Sequence, residues 1–300
     1  MRALALLALA TVLAAGCGGS DKEADAEGGE TTLTAPGWAS PLLAKAGPEG
    51  ALVMATSDYA VGDNRIGFLL VRDDGSLITA PAADVYTASG RKTVARLVDI
   101  GTDTSSSGRE EVKQVYVAEL PLPKAGRQWI VVQPRNVAFQ GFNVLDVKKE
   151  PSAIAVGERA PASDTPTTAT KPARRITTAR PPDVALLRHS VEDSLESGTP
   201  FVVAFATPAY CESRTCGPTV DVVEAVRQRY ERRGVRFIHV EIYEDNLPGN
   251  GVNRWVREWR LPSEPWVFVV DGKGAVRDRF EGALSVGELE RSVRAHLLGG

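Results

Sequence analysis

At 300 residues the chain is long enough for two domains, since few single cores grow beyond ~150–250 residues. Apolar residues make up 43% and charged residues 24%, and the net charge is −3, so the basic field that nucleic-acid binding requires is missing. Nucleic acid is excluded as an expected partner, and charge singles out no other.

In chain order, Arg2 precedes an apolar run from Ala3 to Ala15. That run is too short for a hydrocarbon core, which takes ~20 helical residues, and reads as an export signal. It ends in LAAGC, Leu13 to Cys17, which resembles the lipobox of bacterial lipoproteins, where small residues precede a cysteine that receives lipid; Ala14 stands where that motif most often has leucine. The resemblance implies a lipoprotein signal peptide over residues 1–16, lipidation at Cys17, and an extracytoplasmic protein held to the cell membrane by its lipid anchor. The alternative is an ordinary cleaved signal that leaves Cys17 as a free thiol. Residues 17–47 are rich in Gly, Ala, Glu, Asp and Thr without an apolar period, as a flexible tether is, and reach ~25–30 Å as a coil.

Residues 48–150 carry short apolar runs broken by turn signals: ALVMA, IGFLLV, VYVAEL, QWIVV and FNVLDV, with Asp74-Gly75 marking a hairpin between Leu70-Val71 and Leu77-Ile78. This pattern predicts an all-β sandwich. The stretch VYVAELPLPKAGRQWIVV is similar to the strand, Pro-Gly corner and strand of small immunoglobulin-like domains. Residues 151–173, dominated by Pro, Thr, Ala and Arg, are expected to be a disordered interdomain linker.

From Arg174 to the end, strands and helices alternate. A short strand is expected at Arg175 to Thr178. Asp183 is placed to N-cap a helix with Leu187, Val191 and Leu195 on one face, closed by Gly198. Phe201 to Ala206 is a buried strand, followed by Cys211 and Cys216 and a helix with Val220, Val223, Val226 and Tyr230 on one face. Val235 to Tyr243 reads as a strand, Val252 to Trp259 as a short helix, and Pro265 to Val270 and Ala275 to Phe280 as strands joined at Asp271-Gly272. Ser285 and Glu288 form a capping box for a last helix.

That order, with cysteines after the PFVVAF strand, Pro218 in the next helix and Pro265 opening SEPWVFVVDGKG, resembles the thioredoxin fold over residues 174–300. The architecture expected is therefore multidomain, an N-terminal immunoglobulin-like sandwich followed by a C-terminal α/β thioredoxin-like domain. The resemblance implies that Pro265 takes the place of the family's cis-proline beside the active cysteines, where a substrate strand docks, and that Tyr210 stands where thioredoxins carry a tryptophan. One departure is plain: thioredoxins place two residues between their cysteines, the copper-delivering oxidase assembly proteins of this fold three, and this chain four, Glu212 to Thr215.

Residues five apart on a helix are about 140° out of phase, so Cys211 must lie outside it if it is to meet Cys216. A loop over Glu212 to Arg214 can bring the Cα atoms within the ~4.4–6.8 Å of a disulfide. At the helix N-terminus free amides favour a thiolate, with Arg214 adding positive charge and Glu212 offsetting it. Cys211 is expected to be the exposed nucleophile and Cys216 the resolving thiol. The expected activity is thiol–disulfide exchange on thiols or disulfides of exported proteins, without a cofactor. Two alternatives stand beside it, a binding lipoprotein with a structural disulfide, and copper delivery. A staple over ~6 residues stabilises by only ~2 kcal/mol, which favours a functional pair.

A metal centre needs a third ligand. The chain's three histidines, His189, His239 and His296, offer none in the segment where the oxidase assembly proteins carry theirs, so no metal ligands are assigned. Among the tryptophans, Trp255 is expected in the core, Trp259 exposed, and Trp266 in the groove for a partner peptide. Glu264 is expected near the cysteines, where its charge would raise their pKa. No phosphate loop, HExxH or GxSxG motif occurs.

Overall fold

Seven strands make the first sheet: β1 (Gly50–Met54), β2 (Gly62–Arg72), β3 (Ala82–Thr87), β4 (Lys92–Asp99), β5 (Gln114–Leu122), β6 (Gly126–Pro134) and β7 (Gly141–Val147). The structure is a computed structural model that describes residues 50–101 and 112–298; the expected signal peptide, Cys17 and the tether lie outside the described residues. Apolar side chains recur at every second position, Ile66, Phe68 and Leu70 on β2 and Tyr116, Ala118, Leu120 and Leu122 on β5, and all face one core. That period is what makes these segments strands with one buried face. Phe68 stands opposite Tyr116 in register, and their rings stack at 5.3 Å.

The order is β1-β2-β5-β4-β3-β6-β7, antiparallel throughout. Its two edges meet: Ala60, just before β2, bridges Lys148, just after β7, and the Asn143 side chain donates to the Leu52 carbonyl at 3.1 Å. Instead of the two sheets of a sandwich, one sheet coils until nearly closed, which leaves few unpaired edges. VYVAEL and QWIVV, neighbours in sequence, do not pair; β5 lies between β2 and β4, and β6 between β3 and β7. Strands β3 and β4 were not anticipated. The Asp74-Gly75 turn forms, with Arg72 N–H donating to Ser76 O at 2.8 Å and the Asp74 carboxylate accepting from Ser76 N–H.

The second sheet holds β8 (Phe201–Phe205), β9 (Arg236–Val240), β10 (Trp266–Val270) and β11 (Val276–Glu281), ordered β11-β10-β8-β9 with only β8 and β9 parallel. Every residue of β8 and β10 is buried, because both faces are covered, and so these strands read as unbroken apolar runs. Helices α2 (Cys216–Tyr230) and α4 (Val286–His296) cover one face, where Val220, Val223, Leu289 and Val293 meet Val202, Ala204, Val267 and Val269. The Ser285–Glu288 capping box is present at α4. On the other face Phe201, Phe205 and Phe268 pack with Ile154, Val256 and Trp259.

Two local expectations are corrected. The helix expected from Asp183 to Gly198 is two pieces, a 3₁₀ turn over Val184–Leu187 capped by Asp183 and α1 (Val191–Glu196) capped by Ser190, whose extended backbone breaks the run. No strand forms at Arg175 to Thr178; Thr178 instead donates its N–H to Glu241 Oε2 at 2.7 Å and accepts from Ala209 N–H. Pro218 sits in the first turn of α2, where a missing N–H costs no helical bond.

The expected disordered linker is packed. Ala153, Ile154 and Ala160 are buried in the second sheet's core, and residues 157–160 run beside the edge of β11, with Gly157 N–H to Val276 O, Val276 N–H to Glu158 O and Ala160 N–H to Gly274 O at 2.8–2.9 Å. Farther on, Thr168 N–H donates to Leu187 O at 2.8 Å and Thr165 Oγ1 accepts from Val191 N–H at 3.1 Å, so the threonines find their partners around the start of α1. Trp259, expected exposed, is fully buried, and its indole N–H donates to Ser163 Oγ at 3.2 Å. Trp255, expected in the core, is only partly buried, its indole N–H on Asp164.

The two sheets are joined by buried polar contacts. The Asp58 carboxylate accepts from the amides of Ser152 and Ala153 and pairs with Arg279 at 3.1 Å and Lys148 at 3.2 Å. Glu281 accepts from the amides of Ser57 and Asp58. Arg65 reaches from β2 to Glu288 at 2.8 Å and to the carbonyl of Ala283 at 2.7 Å. At Gly282 φ is +70°, and a Cβ there would stand 2.5 Å from the Ala55 carbonyl oxygen, so this seam requires glycine twice over.

Candidate functional site

Strand β8 delivers Thr207 to Tyr210 to the end of the sheet, and the loop from Cys211 to Thr215 turns back onto the start of α2. The turn is made at Arg214, with φ of +56°. Cys211 and Cys216 form a disulfide with Cα atoms 5.9 Å apart. Cys216 is the first residue of α2, and its backbone N–H donates to Cys211 Sγ at 3.2 Å. The Ser213 hydroxyl lies 3.2 Å from the same sulfur and 2.7 Å from Thr215 Oγ1. When the bridge is reduced, Cys211 is thus the sulfur held by a helix-terminal amide and a hydroxyl, both of which favour a thiolate.

The expected exposure of Cys211 is corrected: it is 3% exposed, and Cys216 is 0%. Both sulfurs pack within the second sheet's own core, with Leu186, Ala206 and Val220, while the first sheet's half lies against the loop and the start of α2. Val112 N–H donates to Arg214 O at 3.4 Å, and Gly101, at φ +78°, lies so close to Pro218 that a Cβ would stand 2.9 Å from the proline's own. Beside the covered bridge a cleft of about 590 Å³ opens between the two halves. One wall carries Val53, Met54, Leu69 and Val115, the other Ile242, Tyr243, Val256 and Leu261, and the inner end carries Glu212, Ser213, Thr215 and Glu264.

The carboxylate of Glu264 lies within 4.8 Å of both sulfurs, and the Glu264–Pro265 peptide is cis. Burial, followed by the charges of Glu241 and Glu212, pushes the Glu264 carboxyl up to about 7. Burial and the same three acids raise Tyr243. Tyr210 stands at the rim, 39% exposed and edge-on to Tyr243 at 6.4 Å. Trp266 is not in the groove. It is 1% exposed and faces away from the cysteines, under the Arg279 guanidinium at 5.2 Å, with its N–H on Ser263 Oγ. Strand alternation explains this, because Val267 and Val269 take the cysteine side and Trp266 and Phe268 the other.

His239 is buried between Ala206 O and Thr177 Oγ1, and His189 and His296 belong to other parts of the surface. Among the described residues the groups that could hold a metal at this site are Cys211, Cys216 and Glu264. Glu241 was missed, since the strand RFIHVEIY drew attention to its histidine alone; a carboxylate beside an otherwise apolar strand end was the available signal.

No protein-family model matches the chain, and no curated protein does. Among solved structures, 48% of the chain is similar to 98% of a putative thiol:disulfide interchange protein DsbE from Chlorobium tepidum, at 14% identity and a TM-score of 0.33. A further 35% match covers all of the Lin-41 filamin domain, at 13% identity and a TM-score of 0.21. At such TM-scores neither likeness carries an argument about what this chain does.

Proposed function

We propose that this chain is a membrane-anchored, extracytoplasmic protein with a thioredoxin-like C-terminal half, and that it exchanges thiols and disulfides with exported proteins through Cys211 and Cys216. The observation that carries the reading is the helix-terminal amide of Cys216 donating to Cys211 Sγ, in a bridge that lies beside the Glu264 carboxylate. In the reduced chain the Cys211 thiolate attacks a partner disulfide, forming a mixed disulfide and releasing one partner thiolate. The Cys216 thiolate then attacks Cys211 Sγ, closing the bridge and releasing the second. The partner disulfide gains two electrons and the chain's two thiols lose two electrons and two protons. Run backwards, the same steps oxidise a dithiol partner. Either direction needs the contacts at Val112 and Gly101 to open, and the cleft beside them is where a partner segment would approach.

The burial of both sulfurs favours a second reading, a binding module whose disulfide is permanent. The reduction potential of the pair and trapping by the Cys216→Ser variant separate the two. Exchange predicts a potential between about −120 and −270 mV and mixed disulfides on Cys211 in cells. A potential below about −300 mV with an empty trap would leave the binding module.

A further inference from the structure

Among the described residues no histidine joins the cysteine pair, but a carboxylate lies beside it. Cys211 Sγ, Cys216 Sγ and a carboxylate oxygen of Glu264 all lie within 4.8 Å of one another, with the sulfurs buried and Glu264 half-buried. The surroundings are anionic, since the charges acting on Glu264 are those of Glu241 and Glu212. A second buried carboxylate, Glu241, stands close enough for its charge to act on Glu264. Glu241 is 5% exposed, its Oε2 accepts from Thr178 N–H, and its Oε1 has no hydrogen-bond partner. A buried carboxylate oxygen without a partner is costly unless a proton or a cation meets it.

The geometry points to a zinc-class divalent cation site, formed by Cys211, Cys216 and Glu264 when the disulfide is reduced. A dithiol reductant supplies the step: its two thiols become a disulfide, the Cys211–Cys216 bond breaks, and two electrons and two protons pass to the sulfurs. The cation then displaces both thiol protons. Zinc accepts thiolates at about 2.3 Å and carboxylates at about 2.0–2.2 Å in tetrahedral geometry. Copper(I) favours thiolate and thioether sets, and calcium and magnesium favour oxygen, so a mixed pair of thiolates and one carboxylate selects the borderline class. Glu264 and Glu212 both line the cleft, which gives the ion a path and leaves the fourth position to water. Oxidation removes both sulfur ligands at once, so the ion is held only by the reduced chain. The inference requires that the pair be reducible and does not require that it turn over a partner.

The test uses the full-length chain, reduced with a water-soluble phosphine, freed of it without oxygen, and titrated with Co²⁺ as a spectroscopic stand-in for zinc. One Co²⁺ per chain is expected, with a thiolate-to-cobalt charge-transfer band that one equivalent of Zn²⁺ abolishes. Glu264→Gln should weaken binding about 10–100-fold, and Glu264→Asp, which keeps the carboxylate on a shorter reach, should fall between that and the parent. Co²⁺ binding equal in reduced and oxidised chains, or unchanged in both Glu264 variants, overturns the site. Thiol exchange measured on the metal-free chain is a separate readout, so a chain that exchanges but binds no Co²⁺ through its thiols loses this site alone.

Discussion

Asp58 shows what a single side chain contributes to the seam. Burial alone would raise its pKa, but the amides of Ser152 and Ala153, with Arg279 and Lys148, outweigh that and lower it. Glu288, likewise buried, is held low by Arg65 and Ser285. A carboxyl whose folded pKa is depressed gives stability that is present above its unfolded pKa and lost as pH falls through the folded value. The urea midpoint is therefore expected to drop below about pH 4, near the unfolded values of these carboxyls, and to be flat from there towards neutrality as far as these two groups decide it. Asp58→Ala leaves Arg279 facing a buried gap and should cost about 3–5 kcal/mol by urea unfolding at pH 7. A loss under 1 kcal/mol would mean that water replaces the carboxylate. None of this was visible in the sequence, because Asp58 and Arg279 are 221 positions apart and nothing local marks either. The Ser285–Glu288 box was legible because it is local, and so was the pairing of Cys211 with Cys216, only five positions away.

At the scale of elements, the contact between the end of β4 and the start of α2 decides how the disulfide is reached. Gly101 has no side chain where it meets Pro218, and its positive φ resists one. Gly101→Val should wedge the two apart. The rate at which a phosphine reduces the Cys211–Cys216 bridge is expected to rise at least about tenfold, which corresponds to ~1.4 kcal/mol of lost closure. An unchanged rate with a native melting temperature would show that the phosphine enters by the cleft instead. Sequence patterns found β8, β10 and β11, since a doubly covered strand is an apolar run and a DG turn marks the hairpin. They missed β3 and β4, whose burial alternates with exposed Lys92, Val94 and Arg96 in a run too polar to stand out. The exposed cysteine was expected because spacing along the chain says nothing about how deeply a loop packs, and both sulfurs lie in the second sheet's core.

On the scale of the whole molecule, the described residues 50–101 and 112–298 belong to one compact unit, and residues 151–173 add Ala153, Ile154 and Ala160 to the core of the second sheet. A chain beginning at Arg174 would lose those three side chains, the Ser163 partner of Trp259, and the Asp58 partner of Arg279. It is expected to melt at least about 10 °C below the full chain, since each ~1 kcal/mol is worth about 4–8 °C in a domain of this size. Equal melting temperatures would make the two halves independent.

The stretch from Gly157 to Ala160, hydrogen-bonded along β11, has a consequence for behaviour in a crowd. A bare outer strand offers its amides and carbonyls to any similar strand on another copy, and growth by addition follows. By occupying that margin the segment removes one open edge to which a similar strand could add, and it does so with a few residues that carry no chemistry at all.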